Sequence, residues 1–157
     1  MAGDDRKKKR AILFVCTGNI CRSPTAEGIF KSLCRQAGIE LRVESAGLGD
    51  WHVGQPPDER AQHHARNRGY DLSAQRARQV RARDFDEFDL ILAMDRGHLR
   101  ALERMAPPRQ RTKIRLFAAD RDVPDPYYGG ADGFEQVLDL VEAYCARLLR
   151  ELKEPTS

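Results

Sequence analysis

The chain has 157 residues, 41% of them hydrophobic and 32% charged, which fits one globular domain with its own core and excludes a disordered or membrane-embedded polypeptide. The formal charge of +3 is accounted for by the first ten residues, MAGDDRKKKR, since the 22 basic and 22 acidic residues after them cancel and give no general case for nucleic-acid binding. The apolar run AILFVC is too short to span a membrane and lacks the cleavage pattern of a secretory signal, so the expectation is a cytoplasmic protein without membrane insertion.

In chain order, residues 1–10 read as a basic, flexible tail and residues 11–154 as a single domain. Ala11 to Val15 is a continuous apolar run expected to be a buried strand. Ser23-Pro24 then opens a helix, serine as N-cap and proline in the first turn, where its missing N–H is harmless. That helix runs to about Ala37, with Ala26, Ile29, Phe30 and Leu33 on one face, and Gly38 stops it. Leu41 to Ala46 alternates like a strand and leads into the loop GLGDWHVGQPP. Asp58 caps a second helix that reaches about Arg68 and closes at Gly69. A short segment near Ala77 to Val80 precedes the turn or helix RARDFDEF. Leu90 to Met94 is the next apolar strand, and Asp95 caps a helix ending before Pro107-Pro108. Lys113 to Phe117 is the last strand. After the loop DRDVPDPYYGGADG, a terminal helix spans about Gly133 to Leu152, with Phe134, Val137, Leu138, Val141, Tyr144, Cys145 and Leu148 at helical spacing.

Strands alternating with helices predict an α/β fold: a three-layer sandwich with a four-stranded parallel sheet and helices on both faces. Ligands in such folds bind at the carboxyl ends of the strands. The segment CTGNICR follows the first strand and precedes the first helix, so it belongs at that edge.

The four cysteines, Cys16, Cys21, Cys34 and Cys145, are too few and too scattered for a secreted disulfide framework, and Cys34 and Cys145 fall in helical patterns as buried fillers. Cys16 and Cys21 stand in a loop built for an oxyanion. Gly18 and Asn19 tolerate left-handed backbone angles that turn successive amides inward. The helix start adds its positive end, and Arg22 can grip two oxygens of a tetrahedral dianion. The same positive features favour the thiolate of Cys16, and Ser23 can hydrogen-bond it and ease its departure. No histidine pairs with these cysteines at zinc-site spacing.

The segment from Val15 to Pro24, VCTGNICRSP, closely resembles the signature of the low-molecular-weight protein tyrosine phosphatases. The likeness extends through Ser45-Ala46-Gly47, Trp51-His52-Val53-Gly54, Pro57-Asp58, Ala77-Arg78-Gln79, Met94-Asp95 and Asp125-Pro126-Tyr127. The resemblance implies phosphotyrosine proteins as substrates, phosphate and other oxyanions as ligands or inhibitors, and no metal or other cofactor. It implies that Cys16 attacks phosphorus, that Thr17, Gly18, Asn19, Ile20, Cys21 and Arg22 hold the phosphate, and that Asp125 is the general acid. Asp122 is the rival acid by position but does not match the motif. Trp51, Tyr127 and Tyr128 are expected to wall the substrate cleft, and Ile20 to favour an aromatic ring, where relatives acting on phosphoarginine carry threonine. Cys21 in this family can form a reversible disulfide with the nucleophile. His52 is expected to make a structural hydrogen bond, and His63 and His64 to lie on the surface. One departure is Gln75, which stands where many relatives have a histidine that supports the asparagine of the loop.

Two other readings compete. An arsenate reductase shares this fold and loop but needs further cysteines to relay a disulfide, and residues 75–100 contain none. A non-catalytic phosphotyrosine-binding module would not need Cys16, Arg22 and Asp125 together.

Overall fold

The computed structural model describes residues 10–127 and 130–153. The basic tail, apart from Arg10, therefore lies outside the described residues, as do Tyr128 and position 154 at the expected domain end.

Strand β1 (Ala11–Cys16) is buried along its whole length, as its unbroken apolar run requires. It leads through five loop residues into helix α1 (Arg22–Ala37), which ends at Gly38 in the left-handed conformation, φ +70°. Strand β2 (Arg42–Gly47) follows, then α2 (Glu59–Asn67), capped by the Asp58 side chain. The RARDFDEF stretch contributes a single helical turn, α3 (Asp84–Glu87). Strand β3 (Leu90–Ala93), α4 (Arg96–Met105), strand β4 (Ile114–Leu116) and α5 (Ala131–Lys153) complete the order. A 3₁₀ helix at Pro108–Lys113, which apolar periodicity did not foreshadow, joins α4 to β4.

The four strands are all parallel in the order β2-β1-β3-β4. One face of β1 presents Ile12, Phe14 and Cys16 to a core shared with α1 and α5; the other presents Leu13 and Val15 to α3 and α4. This is the expected three-layer sandwich. Phe14 anchors it with edge-to-face contacts to Phe30 at 5.9 Å and Phe117 at 5.5 Å. Each such pair adds about 0.5–1.5 kcal/mol beyond area burial. Among the described residues no helix is long and apolar enough to cross a membrane.

The parallel register brings Cys16 level with Gly47 and Val15 level with Ala93, so the carboxyl ends of β1, β2 and β3 share one edge. Gly47 must be glycine there: a Cβ would lie 2.9 Å from the Gly18 carbonyl carbon.

Candidate active site

The loop between β1 and α1 is shaped by bonds to its carbonyls. Cys16, Thr17 and Ile20 accept from the N–H groups of Leu48 (3.0 Å), Gly49 (3.0 Å) and Asp58 (2.8 Å), and Cys21 accepts from Thr25 within α1. In a planar trans peptide the carbonyl and the next N–H point opposite ways. With these carbonyls tied outward, the amides that follow them turn to the concave side and form an anion nest.

Asn19 is the one non-glycine among the described residues with positive φ, +61°. Gly18 does not share that conformation, contrary to the expectation for it. Its lack of a side chain serves space instead, since a Cβ would lie 2.9 Å from the His52 ring. Asn19 is 3% exposed and works from beneath the loop rather than from the cleft. Its Oδ1 accepts the Arg78 backbone N–H at 3.0 Å. A peptide N–H can only donate, so the NH₂ group must face Ser23 (2.8 Å) and Ser45 (2.9 Å). Ser45 in turn donates a hydrogen bond to Glu27 Oε1 at 2.6 Å. Ser23 Oγ, which accepts from Asn19, lies 3.0 Å from Cys16 Sγ and donates its proton there when the sulfur is a thiolate, because a thiolate can only accept.

Ser23 is therefore not the N-cap expected for α1. That position belongs to Cys21, whose side chain makes no capping bond among the described residues. The first amides of the helix remain open toward the loop, and its positive end favours an anion there. Gln75 does not take the place of the family histidine either. Its Nε2 donates to the Pro24 carbonyl at 2.9 Å, whereas Asn19 Oδ1 accepts from the Arg78 backbone.

Arg22 is 4% exposed. Its Nη1 donates to Asp95 Oδ2 (3.0 Å) and the Val123 carbonyl (2.9 Å), and its Nη2 to Thr17 Oγ1 (3.3 Å). Asp125 Oδ2 lies 3.6 Å from Nη2, while its Oδ1 accepts the Tyr127 N–H at 3.0 Å. Asp122, the rival acid, is exposed and accepts from Arg96 at the start of α4. Burial opposes ionisation of Asp95, but the His98 N–H, the His98 ring and Arg22 hold its carboxyl below the usual range.

Cys16, Thr17, Gly18, Ile20, Cys21, Arg22 and Asp125 line a cleft of about 410 Å³, with Trp51, His52 and Tyr127 at its walls. Trp51 is 66% exposed, its ring folded over Gly49. His52 makes the structural bond expected of it, to Gln55 Oε1 at 3.0 Å. His64 departs from its surface expectation: it is half-buried, hydrogen-bonded to Glu135 and stacked on Phe134. Cys21 is buried, and burial followed by the charge of Asp58 pushes its thiol well above the usual range. Cys34 and Cys145 are buried in the core between α1 and α5, as expected of fillers.

Two members of this constellation were missed in the sequence. In the sequence Asp95 carries only the signal of a helix cap, a role it does fill by accepting the His98 N–H at 2.8 Å, and His98 carries no signal of its own. The available signal was their position: a capping aspartate and a histidine three residues on, at the carboxyl end of the strand beside β1.

The architecture and the loop together define a parallel α/β protein that holds a thiol in the turn between its first strand and first helix. The chain belongs to the low molecular weight phosphotyrosine protein phosphatase family, whose model matches residues 11–157. A low molecular weight protein-tyrosine-phosphatase from Streptomyces coelicolor is 47% identical over 154 residues, covering 91% of this chain and 93% of that protein. Among solved structures, a protein tyrosine phosphatase from Entamoeba histolytica superposes with a TM-score of 0.90 at 36% identity, covering 92% of this chain and 97% of that one. Wzb from Vibrio vulnificus, in complex with benzylphosphonate, gives a TM-score of 0.83 at 31% identity over 92% and 99% of the two chains.

Proposed function

We propose that the protein hydrolyses phosphotyrosine in protein substrates, and small aryl phosphates, through a phosphocysteine on Cys16. The observation that carries this reading is Cys16 Sγ held by the Ser23 hydroxyl at 3.0 Å at the base of the cradle, with Arg22 buried beside it.

In the first step the Cys16 thiolate attacks phosphorus and the bond to the phenolic oxygen breaks. Asp125 gives that oxygen its proton, so tyrosine leaves neutral. Thr17 to Arg22 bind the phosphoryl oxygens through the loop amides, and the Arg22 guanidinium stabilises the charge of the transition state. In the second step Asp125, now a carboxylate, takes a proton from water as the water oxygen attacks phosphorus. The sulfur–phosphorus bond breaks, and the departing thiolate is received by the Ser23 proton. Trp51 and Tyr127 wall the phenyl ring, and Ile20 offers it an apolar contact. That the Vibrio relative was solved in complex with benzylphosphonate, a phosphonate bearing a phenyl ring, supports an aromatic substrate.

Residues 11–154 are taken as one phosphatase domain, in keeping with the extent of the family match. The four free cysteines suit a reducing, cytoplasmic compartment. Cys34 and Cys145, buried in the core, are not presented to the cleft as a disulfide relay would need, which favours hydrolysis over arsenate reduction. Cys21 serves as the protonated partner with which Cys16 forms a reversible disulfide under peroxide. Equal recovery by thiol in Cys21→Ser would argue against that role.

The test is turnover of an aryl phosphate by wild type and Cys16→Ser, together with acid-quench trapping of the phosphoenzyme. Loss of both turnover and the trapped species in Cys16→Ser is expected. Retained turnover in that variant overturns the mechanism, and release of bound phosphotyrosine unchanged by wild type would make the protein a binding module.

A further inference from the structure

Arg22, Thr17, His98 and Asp95 form a closed circuit. Arg22 Nη2 donates to Thr17 Oγ1 at 3.3 Å, and Thr17 Oγ1 meets His98 Nε2 at 2.8 Å. His98 Nδ1 lies 3.3 Å from Asp95 Oδ1, an electrostatic contact whose alignment falls short of a hydrogen bond. Asp95 Oδ2 returns to Arg22 Nη1 at 3.0 Å.

The direction of each bond follows from donor arithmetic. Asp95 as a carboxylate only accepts, so it favours the proton on the Nδ1 that faces it. A neutral imidazole then has a lone pair at Nε2, which receives the Thr17 hydroxyl proton. The Thr17 oxygen is thereby turned to accept from Arg22. His98 is 5% exposed, and burial and the Arg22 charge keep it neutral by pushing its pKa down to about 4.

A guanidinium has five N–H donors. Both on Nη1 are taken by Asp95 and Val123, and one on Nη2 by Thr17. The second Nη2 proton and the Nε proton remain, and these are the two that can form a bidentate pair with a phosphoryl group.

We infer that His98 is a positioning residue for the phosphate site: acting through Thr17 and Asp95, it fixes the plane of the Arg22 guanidinium so that Nε and Nη2 face the cleft. This deepens the phosphatase reading and rests on it. The circuit predicts that removing His98 weakens capture of a phosphoryl group by disordering Arg22, with no group that touches substrate lost.

The test measures inorganic phosphate binding by the fluorescence of Trp51, the single tryptophan, which stands at the cleft. His98→Leu and Thr17→Val are each expected to weaken phosphate about tenfold, the scale of one hydrogen bond. The double variant is expected to be no weaker than either single one, because both break the same path. His98→Gln, whose amide can reach Thr17, is expected to restore most of the affinity. Wild-type affinity in a folded His98→Leu overturns the inference, as does a double variant weakened about a hundredfold, the product of independent effects. Thr17 is exposed, so Thr17→Val carries little folding cost. If His98→Leu does not fold, wild-type affinity in Thr17→Val overturns the proposal, and tenfold loss there with near-wild-type His98→Gln upholds it. Binding needs no turnover: a wild type that binds phosphate but fails to hydrolyse aryl phosphates sinks the phosphatase reading alone. One that does both, with variants indistinguishable from it, sinks only the role of His98.

Discussion

Ser23 Oγ stands 3.0 Å from Cys16 Sγ while accepting from Asn19, and a thiolate at Cys16, which can only accept, takes the Ser23 proton as its hydrogen bond. The hydroxyl is thus oriented before any substrate arrives, by a chain that starts at the Arg78 backbone and ends at Glu27. A leaving thiolate that finds a donor in place avoids reorganisation at the moment of bond cleavage.

Ser23→Ala should therefore slow release of phosphate from Cys16 more than its formation. A pre-steady-state burst of p-nitrophenol is expected, with kcat lowered about tenfold, in the range of a hydrogen bond to a charged group. An unchanged kcat without a burst would show that the hydroxyl does not assist the departing sulfur.

Asp125 sits at the rim, 38% exposed, 3.6 Å from Arg22. In Asp125→Asn the leaving oxygen has no proton source, and general acids contribute about 10²–10⁴-fold to such steps. The loss in kcat/KM should be steep for phenyl phosphate and slight for aryl phosphates with acidic phenols. Rates on phosphotyrosine equal to wild type would remove Asp125 from the mechanism.

Trp51 covers little of the core, yet its ring stands at the cleft wall. Trp51→Ala should raise KM for aryl phosphates about three- to tenfold through lost apolar contact, with inhibition by inorganic phosphate unchanged. A parallel loss of phosphate inhibition would mean that the ring shapes the cradle and not the aryl site. The melting temperature should move little.

Burial first, and the Arg22 charge second, push His98 from its ordinary 6.5 down to about 4, with Asp95, Asp125 and Asp122 opposing. The unfolded chain thus takes up this proton at a higher pH than the native protein does. The stability that neutral His98 contributes is complete above about pH 6.5 and is lost as the pH falls toward about 4, by up to about 3 kcal/mol. Asp95, held below its ordinary value, loses its contribution only at lower pH still. Urea denaturation between pH 4.5 and pH 7, on the order of that window, should show a flatter dependence in His98→Gln than in wild type. Equal slopes would mean that another group governs the decline.

The strand–loop–helix unit was legible in the sequence because its signals are local: an apolar run, a left-handed position at Asn19, a glycine stop at Gly38. Cys16 and Arg22 could be read for the same reason, lying within seven positions of one turn. What escaped was long-range. Ser23 has the composition of an N-cap, but its oxygen is held beside the sulfur by a bond from Asn19, and Asn19 is set by Arg78, 59 positions away. His98 looks like any histidine in a first helical turn until β3 is laid beside β1 and brings it to Thr17, 81 positions distant. Gln75 matches a family position in sequence, yet its Nε2 donates to the Pro24 carbonyl.

Helix α1 follows an N-cap, Cys21, whose side chain makes no capping bond among the described residues. On the proposed reading, a tetrahedral anion seated there would complete this terminus from outside. Phosphate would then supply the acceptors that a capping side chain gives other helices, and the melting temperature of the whole domain should climb with its concentration.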